Sequence, residues 1–577
     1  MSESSASVAA EPEHHVAPAR PAWWKRVGVE ALAVLVVLAS ALIILGQWMD
    51  TDWEINLLYS GDSLVLPLLR ESILAGQPFE WVFSSQLFLF PETPIYWIVS
   101  AFTTNPRAAL AGVAIVNLVL LYVLLRWCSR LLFRHSRHRI LEISVALGAT
   151  ALYVIYVLLE PVSDINGTAI ASLYLLVAYY PGVILSGLTS IGLVLWVTRA
   201  FTDPPVRRPR TLVFVILFVA VGALTGASNP LFWMQVLAPL GATLVIAVAM
   251  RRLSRDWFLT LAGTIGVTLV VGYLLRRLLE RYTSLGVGEY IDFSLAGESF
   301  LMLRHVVEDL FATPQGVLKL MLASIVLLIA ALPIIRVLAR RDAIPGRHWH
   351  VTSAEFILAV FSWVSVASLI VGMVATGTLT TRYLVPVFVF PLLSATYEIV
   401  KFFRTMLLSI RDERVRRSVR TFGLAFVSGV AVLILIGGAL AVPRAATMAL
   451  SEDRGGAGCT AELPDDAEAG VGTFWLTRNW DVYGSHDYPI LQVDPDLSVF
   501  PWMINLASYE DQRFTFVILD PWGFVTEDSV EPLGEPADIT ECSGYLIYDY
   551  AGTPGEELLN ERVQDGLEAT EELHGFE

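Results

Sequence analysis

Cysteine, histidine and charge are all scarce in this chain, and each scarcity removes a class of chemistry. Three cysteines and nine histidines are spread over 577 residues, with no CxxC pair and no His/Cys cluster of the kind that holds zinc or runs redox chemistry. No GxxxxGK[ST] loop, no GxGxxG after a strand, and no HExxH, GxSxG or HRD set occurs, so the nucleotide, zinc-peptidase and serine-hydrolase motifs give no lead. Charged residues make up only 16% of the chain against 55% hydrophobic ones, and the mean hydropathy is +0.60. Such a balance excludes a soluble globular domain of this size. Charges are almost absent inside the apolar runs, which weighs against an ion-coupled transporter or channel.

What is present is a series of apolar windows, each long enough to cross a hydrocarbon core of ~30 Å as a helix. They fall at 28–48, 108–126, 140–159, 173–198, 211–228, 232–250, 257–275, 316–336, 354–375, 383–400 and 421–443, which gives eleven spans. The expected fold class is therefore an α-helical polytopic membrane protein. Placing the N-terminus in the cytoplasm puts 26 of the 39 Lys and Arg residues on that side, and the excess holds loop by loop. The expected location is the plasma membrane, with the N-terminus inside and the C-terminus outside. Residues 1–27 are polar and rich in Pro and Ala at their start, and read as a disordered cytoplasmic tail.

The chain changes character after Pro443. Residues 444–577 hold 28 acidic and five basic side chains, so the negative charge of the whole protein resides there. That balance argues against nucleic acid as a partner. Within the tail, DAEAGVGTFWLTRNWDVYG and FPWMINLASYE read as helical, and PILQVD, FTFVILD and GYLIYDY as strands; the Glu-rich end from Gly555 reads as a helix or frayed end. The alternation predicts a small extracytoplasmic α/β domain over 444–577. Cys459 and Cys542, alone in an exported domain, read as a disulfide.

Candidate functional residues concentrate on the outer face. The long first outer loop, 49–107, is apolar but broken by Pro67, Gly76, Pro78, Pro91 and Pro94, which predicts short interfacial helices, not another span. Asp62 opens one of them. A carboxylate at the hydrocarbon boundary must be paired, protonated or wet, so Asp62 either caps the helix starting at Ser63, with Gly61 supplying the turn, or serves as a general base. Asp50, Asp52 and Glu54 lie just before it; each alone reads as a solvated collar, and together with Asp62 they leave room for a divalent cation. Glu160 and Asp164 mark the short second outer segment. Arg382, beside Tyr383 at the outer end of the tenth span, reads either as a headgroup anchor or as a guanidinium presented to a phosphate. Arg276, Arg277, Arg281 and Arg304 in the segment 276–314 run against the positive-inside trend, and an anionic lipid phosphate would explain them. Only His305, His486 and His574 fall on this face.

Taken in order, GDSLVLPLLRESILAGQPFEW, LFLFPETPIYWI and RYLVPVFVFPLL resemble the motifs of the GT-C superfamily of polyprenyl-phosphate-dependent membrane glycosyltransferases, which includes protein mannosyltransferases and aminoarabinose transferases. Asp62 falls where that family's first-loop acid belongs, and Ser63 occupies the position where the family often carries a second acid. Arg382 and Tyr383 match the head of its late Arg-Tyr-Pro span. The resemblance implies an inverting transfer of a sugar from a polyprenyl-phosphate donor to an acceptor hydroxyl on the outer face, with Asp62 as the base and Asp52 near it. Arg382 and Tyr383, helped by Arg276, Arg277 and Arg281, would hold the donor phosphate amid membrane lipid. A lipid or polysaccharide transporter and a noncatalytic scaffold are the alternatives.

Overall fold

The computed structural model describes residues 23–133, 139–163, 167–198, 209–284, 291–339, 351–450, 457–464, 467–484, 486, 488–520 and 523–576. Most of the expected cytoplasmic tail, and Asp164, lie outside these residues. Among them, ten helices are long and apolar enough to cross a membrane: Val27–Trp48, Pro106–Leu132, Arg139–Leu158, Pro181–Thr198, Pro209–Ser228, Arg255–Leu278, Pro314–Leu338, Ser353–Ala375, Thr381–Ser409 and Glu413–Leu450. At the sixth expected position, 232–250, stands a shorter apolar helix, Trp233–Ala249, whose first turn Trp233–Leu237 is π-wound. The chain is a multi-pass helical membrane protein.

Two departures from the expected spans bear on the polar chemistry of the expected outer face. The window 173–198 is not one helix: a 3-10 turn, Ser172–Leu175, is followed by a break, and the long helix starts only at Pro181. Proline lacks an N–H and disfavours α geometry in the residue before it, and Tyr180 takes φ +68° there. Secondly, buried charges do enter the spans, Glu142, Glu355, Glu398 and Lys319 among them. Lys319 on the helix Pro314–Ala330 is buried against Glu160, and its Nζ also donates to the Thr168 carbonyl at 2.8 Å.

The first and last helices pack along small residues. A Cβ on Gly438 would stand 2.5 Å from the Ala39 Cβ, and one on Gly46 would stand 3.1 Å from that of Ala441, the close approach that favours helix pairing in lipid. The last helix runs on to Leu450, past the expected boundary at 443–444.

The C-terminal domain is built on a five-stranded mixed sheet. Besides β1 (Trp81–Val82) in the first loop, the strands are β2 (Ala469–Gly472), β3 (Ile490–Gln492), β4 (Ile504–Asn505), β5 (Phe514–Leu519), β6 (Asp538–Cys542) and β7 (Tyr545–Asp549). The sheet order is β3-β2-β5-β7-β6, with the β2 pairs parallel and the rest antiparallel. All six residues of the central β5 are buried, as expected for a strand covered on both faces. Val517 and Leu519 pack with Leu559, Val563 and Leu567 of the C-terminal helix Pro554–His574, whereas Phe516 and Ile518 pack with Leu476 and Trp480 of the helix Phe474–Tyr483. The alternation of β5 thus divides the domain into two cores. Cys459 and Cys542 are disulfide-bonded, with Cα atoms 5.8 Å apart.

Three sequence expectations for this domain need correction. Ala469–Gly472 is a strand and not the start of a helix, because Gly470 must pass under the Phe516 ring, which leaves no room for a side chain. The stretch FPWMINLASYE contributes the strand β4 and a short 3-10 turn, since its backbone pairs outside the domain. The exposed strand β6 is an addition to the expected elements.

The outside partner of β4 is β1, in antiparallel register Trp81↔Asn505 and Val82↔Ile504. The Glu80 N–H donates to Asn505 Oδ1 at 2.9 Å, and the Asn505 amide donates to the Pro78 carbonyl at 3.0 Å. On the other side, the Phe83 N–H donates to the Tyr282 carbonyl and the Ser284 N–H to the Phe83 carbonyl, both at 2.7 Å. The first loop is therefore stitched between the C-terminal domain and the segment that follows Arg281. It also holds the expected short helices, Val65–Leu74 and Glu92–Ser100.

Candidate active site

Asp62 sits in a tight turn, and the turn is not a helix cap. The helix begins at Val65 with Leu64 at its N-cap and no side-chain cap bond, while the Ser63 hydroxyl turns back to the Asn56 carbonyl at 2.6 Å. With Ser63 bonded backwards and the Ser63 and Leu64 amides both given to the Ser60 carbonyl, the carboxylate is released from capping. Its Oδ2 accepts a hydrogen bond from the Tyr179 hydroxyl at 3.0 Å. Gly61 is needed for close approach: a Cβ there would lie 2.8 Å from the Phe474 ring and 3.1 Å from the Phe474 carbonyl oxygen.

Two cations act on Asp62. Burial pushes its carboxyl above the ordinary range; the Arg382 guanidinium, the Tyr179 bond and the Arg478 guanidinium pull the other way, in that order, without restoring it. A carboxylate raised in this way is a stronger base than one in water. Arg382 lies in the 3-10 turn Thr381–Phe388, and its Nε is buried with no hydrogen-bond partner among the described residues. Its guanidinium carbon is 5.9 Å from the Tyr383 ring centre, and the Tyr180 and Tyr383 rings lie 5.6 Å apart. A non-glycine residue at φ +68° is strained, and an aromatic one is unusual there. Tyr180 holds that conformation in the wall of a cavity.

The cavity, about 890 Å³ including its open side, is lined by Tyr180, Tyr383, Asn229, Leu231, Met234, Leu369 and Met373 among others. Its mainly apolar wall with a few polar groups suits a small-molecule or lipid ligand. A second cleft opens by Thr380 and Thr381, where Gly167, Met302, His305 and Asp309 line it. Glu92 is buried, with Oε1 accepting the N–H of Gly182, two residues beyond Tyr180, at 3.1 Å. Burial pushes its carboxyl up to about 7, and Oε2 has no partner among the described residues.

The other expected site residues lie as follows. Asp52 heads the short helix Asp52–Glu54, and its N–H donates to the Val162 carbonyl at 3.2 Å. Arg276 is buried, with Nη1 donating to the Ala227 carbonyl at 3.3 Å. Arg277 is exposed and paired with Glu280 at 2.6 Å. Arg281 donates to the Tyr282 hydroxyl at 2.6 Å and stacks on Tyr282 and Phe576, with centroid distances of 4.7 and 5.7 Å. Arg304 pairs with Glu308 on the surface at 3.2 Å. Each of these arginines has its own partner in the structure. Asp50, Asp52, Glu54 and Asp62 form no group of carboxylates close enough to share a cation among the described residues; the trio that does is Glu80, Glu510 and Glu571, on another part of this face.

Three residues of the site escape a reading of the sequence. Tyr179 and Tyr180 hide inside an apolar window that looks like one helix, although Pro181 signals the break. Arg478 hides in the acidic tail, where a basic residue inside the aromatic run FWLTRNW is itself the signal.

The site thus belongs to a multi-pass membrane protein whose polar chemistry gathers where the first loop, the Thr381 turn and the appended α/β domain meet. No family model matches the sequence, and no curated protein matches it. Among solved structures the chain is similar to ArnT from Cupriavidus metallidurans, at 11% identity over 91% of this chain and 98% of that one, with a TM-score of 0.49. It is also similar to an oligosaccharyltransferase from Archaeoglobus fulgidus, at 11% identity over 84% of this chain and 68% of that one, with a TM-score of 0.43.

Proposed function

We propose that this protein is an inverting membrane glycosyltransferase that moves a sugar from a polyprenyl-phosphate donor to an acceptor hydroxyl on the outer face of the plasma membrane. The observation that carries the reading is the meeting of a buried, raised carboxylate with an incompletely bonded arginine beside an apolar cavity. The motif resemblance supports it from the sequence side.

In the proposed step the acceptor oxygen attacks the anomeric carbon and the bond from that carbon to the phosphate oxygen breaks. The acceptor proton passes to Asp62, and the electron pair leaves with polyprenyl phosphate, so charge shifts from the carboxylate to the phosphate. Arg382 receives that charge. Its planar fork can engage two phosphate oxygens, and the unused Nε gives it a donor to offer. The first isoprene units lie against the cavity wall that Tyr180, Tyr383, Leu369, Met373 and Met234 line. Asp52 stands close in sequence as a secondary carboxylate, and Arg276 is the buried member of the 276–281 segment.

The test is transfer by purified protein in lipid discs supplied with labelled polyprenyl-phosphate sugars, with release of polyprenyl phosphate as the readout. Asp62→Asn should lower release on the order of a thousandfold while the protein remains folded. Full activity in that variant removes Asp62 from the reaction, and movement of label across the bilayer without bond cleavage marks a transporter instead.

A further inference from the structure

The helix Phe474–Tyr483 of the C-terminal domain reaches out of its own fold to the Asp62 turn. Arg478 is 1% exposed, which is rare for an arginine unless its donors are used. They are used in a directed way. Nε donates to Gln492 Oε1 at 3.1 Å and Nη2 to the Met503 carbonyl, which fix the guanidinium to the domain, while Nη1 donates to the Gly61 carbonyl at 3.2 Å. That last bond leaves the domain and ends on the residue before Asp62.

Three further contacts secure the same junction. The Phe474 ring lies against Gly61 so closely that no Cβ fits, and the Arg478 guanidinium lies over that ring at 4.8 Å. The Tyr483 hydroxyl donates to the Leu58 carbonyl at 2.7 Å. Arg107, from the helix Pro106–Leu132, sits over the Tyr483 and Tyr59 rings at 4.3 and 5.5 Å. A domain that merely hung from the membrane part would not need a buried cation here.

We infer that Arg478 is a positioning residue for Asp62: by holding the Gly61 carbonyl and presenting its charge to the carboxylate, it makes the C-terminal domain part of the catalytic turn. The inference rests on the proposed role of Asp62 as the base. Its electrostatic side is reciprocal. Arg478 lowers the Asp62 carboxyl, and Asp62 supports the charge of Arg478, although burial still pulls its guanidinium down to about 10. The groups facing Asp62 are Tyr179 and Tyr180 from the segment before Pro181, Arg382 from the Thr381 turn and Arg478 from the domain; Arg478 in turn faces Asp481 and Tyr509.

The experiment reads Asp62 without any sugar substrate. Dicyclohexylcarbodiimide, which couples to protonated carboxyls in apolar surroundings, is applied to the full-length protein in lipid discs across the acidic to weakly basic range. The labelled Asp62 peptide is then quantified by mass spectrometry. Removing an opposite charge from near a carboxylate raises its titration, so Arg478→Gln should move half-labelling measurably upward. Arg478→Lys, which keeps the charge, should stay closer to the wild type. Gly61→Ala keeps Arg478 but forces the turn off Phe474, and should shift half-labelling in the same direction; it decides the matter alone if Arg478→Gln does not fold. Unchanged half-labelling in the folded variants, with the Cys459–Cys542 bond intact, overturns the inference. Retained sugar transfer in Asp62→Asn would instead refute the proposed function while leaving a labelling shift standing.

Discussion

Two pairings of acid and base in this protein look alike in sequence and differ in what their surroundings complete. Glu160 accepts the N–H groups of Ile170, Ala171 and Ser172 at 2.9, 2.7 and 2.8 Å, and it takes Lys319 as well. Lys319 also donates to a backbone carbonyl and rests over Phe388 at 4.5 Å. Few lone pairs or protons are left over. Around Asp62 the reverse holds: a tyrosine gives one bond, two arginines act through space, Arg382 keeps a buried Nε without a partner among the described residues, and Tyr180 stays in a strained conformation. A saturated buried pair fixes structure, whereas an unsaturated one with stored strain is set to bind or react.

The contrast is broken most severely from the Asp62 side. Asp62→Asn should lower transfer on the order of a thousandfold, as loss of a general base commonly does, with the thermal midpoint unchanged or raised because a desolvated charge is gone. Because Asp62 is raised by burial, the acid limb of the wild-type rate should lie above the ordinary carboxylate range and fall as pH drops through it. A limb at the ordinary value would mean that the carboxylate is well hydrated during turnover. Arg382→Gln should cost about a hundredfold in kcat, and Arg382→Lys should recover only part of it, since lysine keeps the charge and loses the fork.

From the saturated side the effects should appear in stability. Lys319→Met strands a buried carboxylate and should destabilise the protein by roughly 3–5 kcal/mol, read by thermal unfolding in lipid discs, while Lys319→Met with Glu160→Gln should recover part of that loss. Glu92 offers a smaller, pH-dependent effect. Its folded value of about 7 stands above the ordinary 4.5, so the unfolded chain gives up its proton first and stability falls as pH rises between those values. Glu92→Gln should flatten that slope and stabilise the protein above neutrality by up to about 3 kcal/mol. An unchanged slope would assign the pH dependence elsewhere.

Much of this arrangement is legible in the chain alone. Hydropathy locates the helices, and the prolines of 49–107 point to short helices in place of a span. The tail reads as α/β, and Asp62, Arg382 and the two cysteines stand out from their surroundings. Relations across distance are not legible in the same way. Gly61 looks like a turn residue, but its reason is a phenylalanine more than four hundred positions away. Arg478 looks like a surface charge, yet it is tied to that same glycine. Lys319 looks like a lone basic residue in an apolar window, because its partner Glu160 belongs to a loop. Periodicity and composition report which residues are buried, and only the packed chain reports against what.

The segment 276–281 gives the finest test of the same distinction. Spacing groups its arginines, but the structure separates them: Arg276 is buried and reaches the Ala227 carbonyl, two residues before the Asn229 and Pro230 wall of the cavity. Arg277 is exposed, and its charge is met by Glu280 and by the Tyr273 hydroxyl at 3.0 Å. Exposed pairs of this kind contribute little in water. Arg277→Ala should therefore change transfer by no more than about twofold, since such a pair holds nothing that the solvent cannot replace. Arg276→Ala should weaken donor binding more, appearing as a raised KM with kcat nearly kept, because it braces the cavity wall without being placed at the Asp62 carboxylate. The decisive measurement is donor titration of both variants side by side. An equal loss in the two would restore the segment as one phosphate-binding cluster, and a larger loss in Arg277→Ala would move the donor's phosphate out of the cavity and onto the surface.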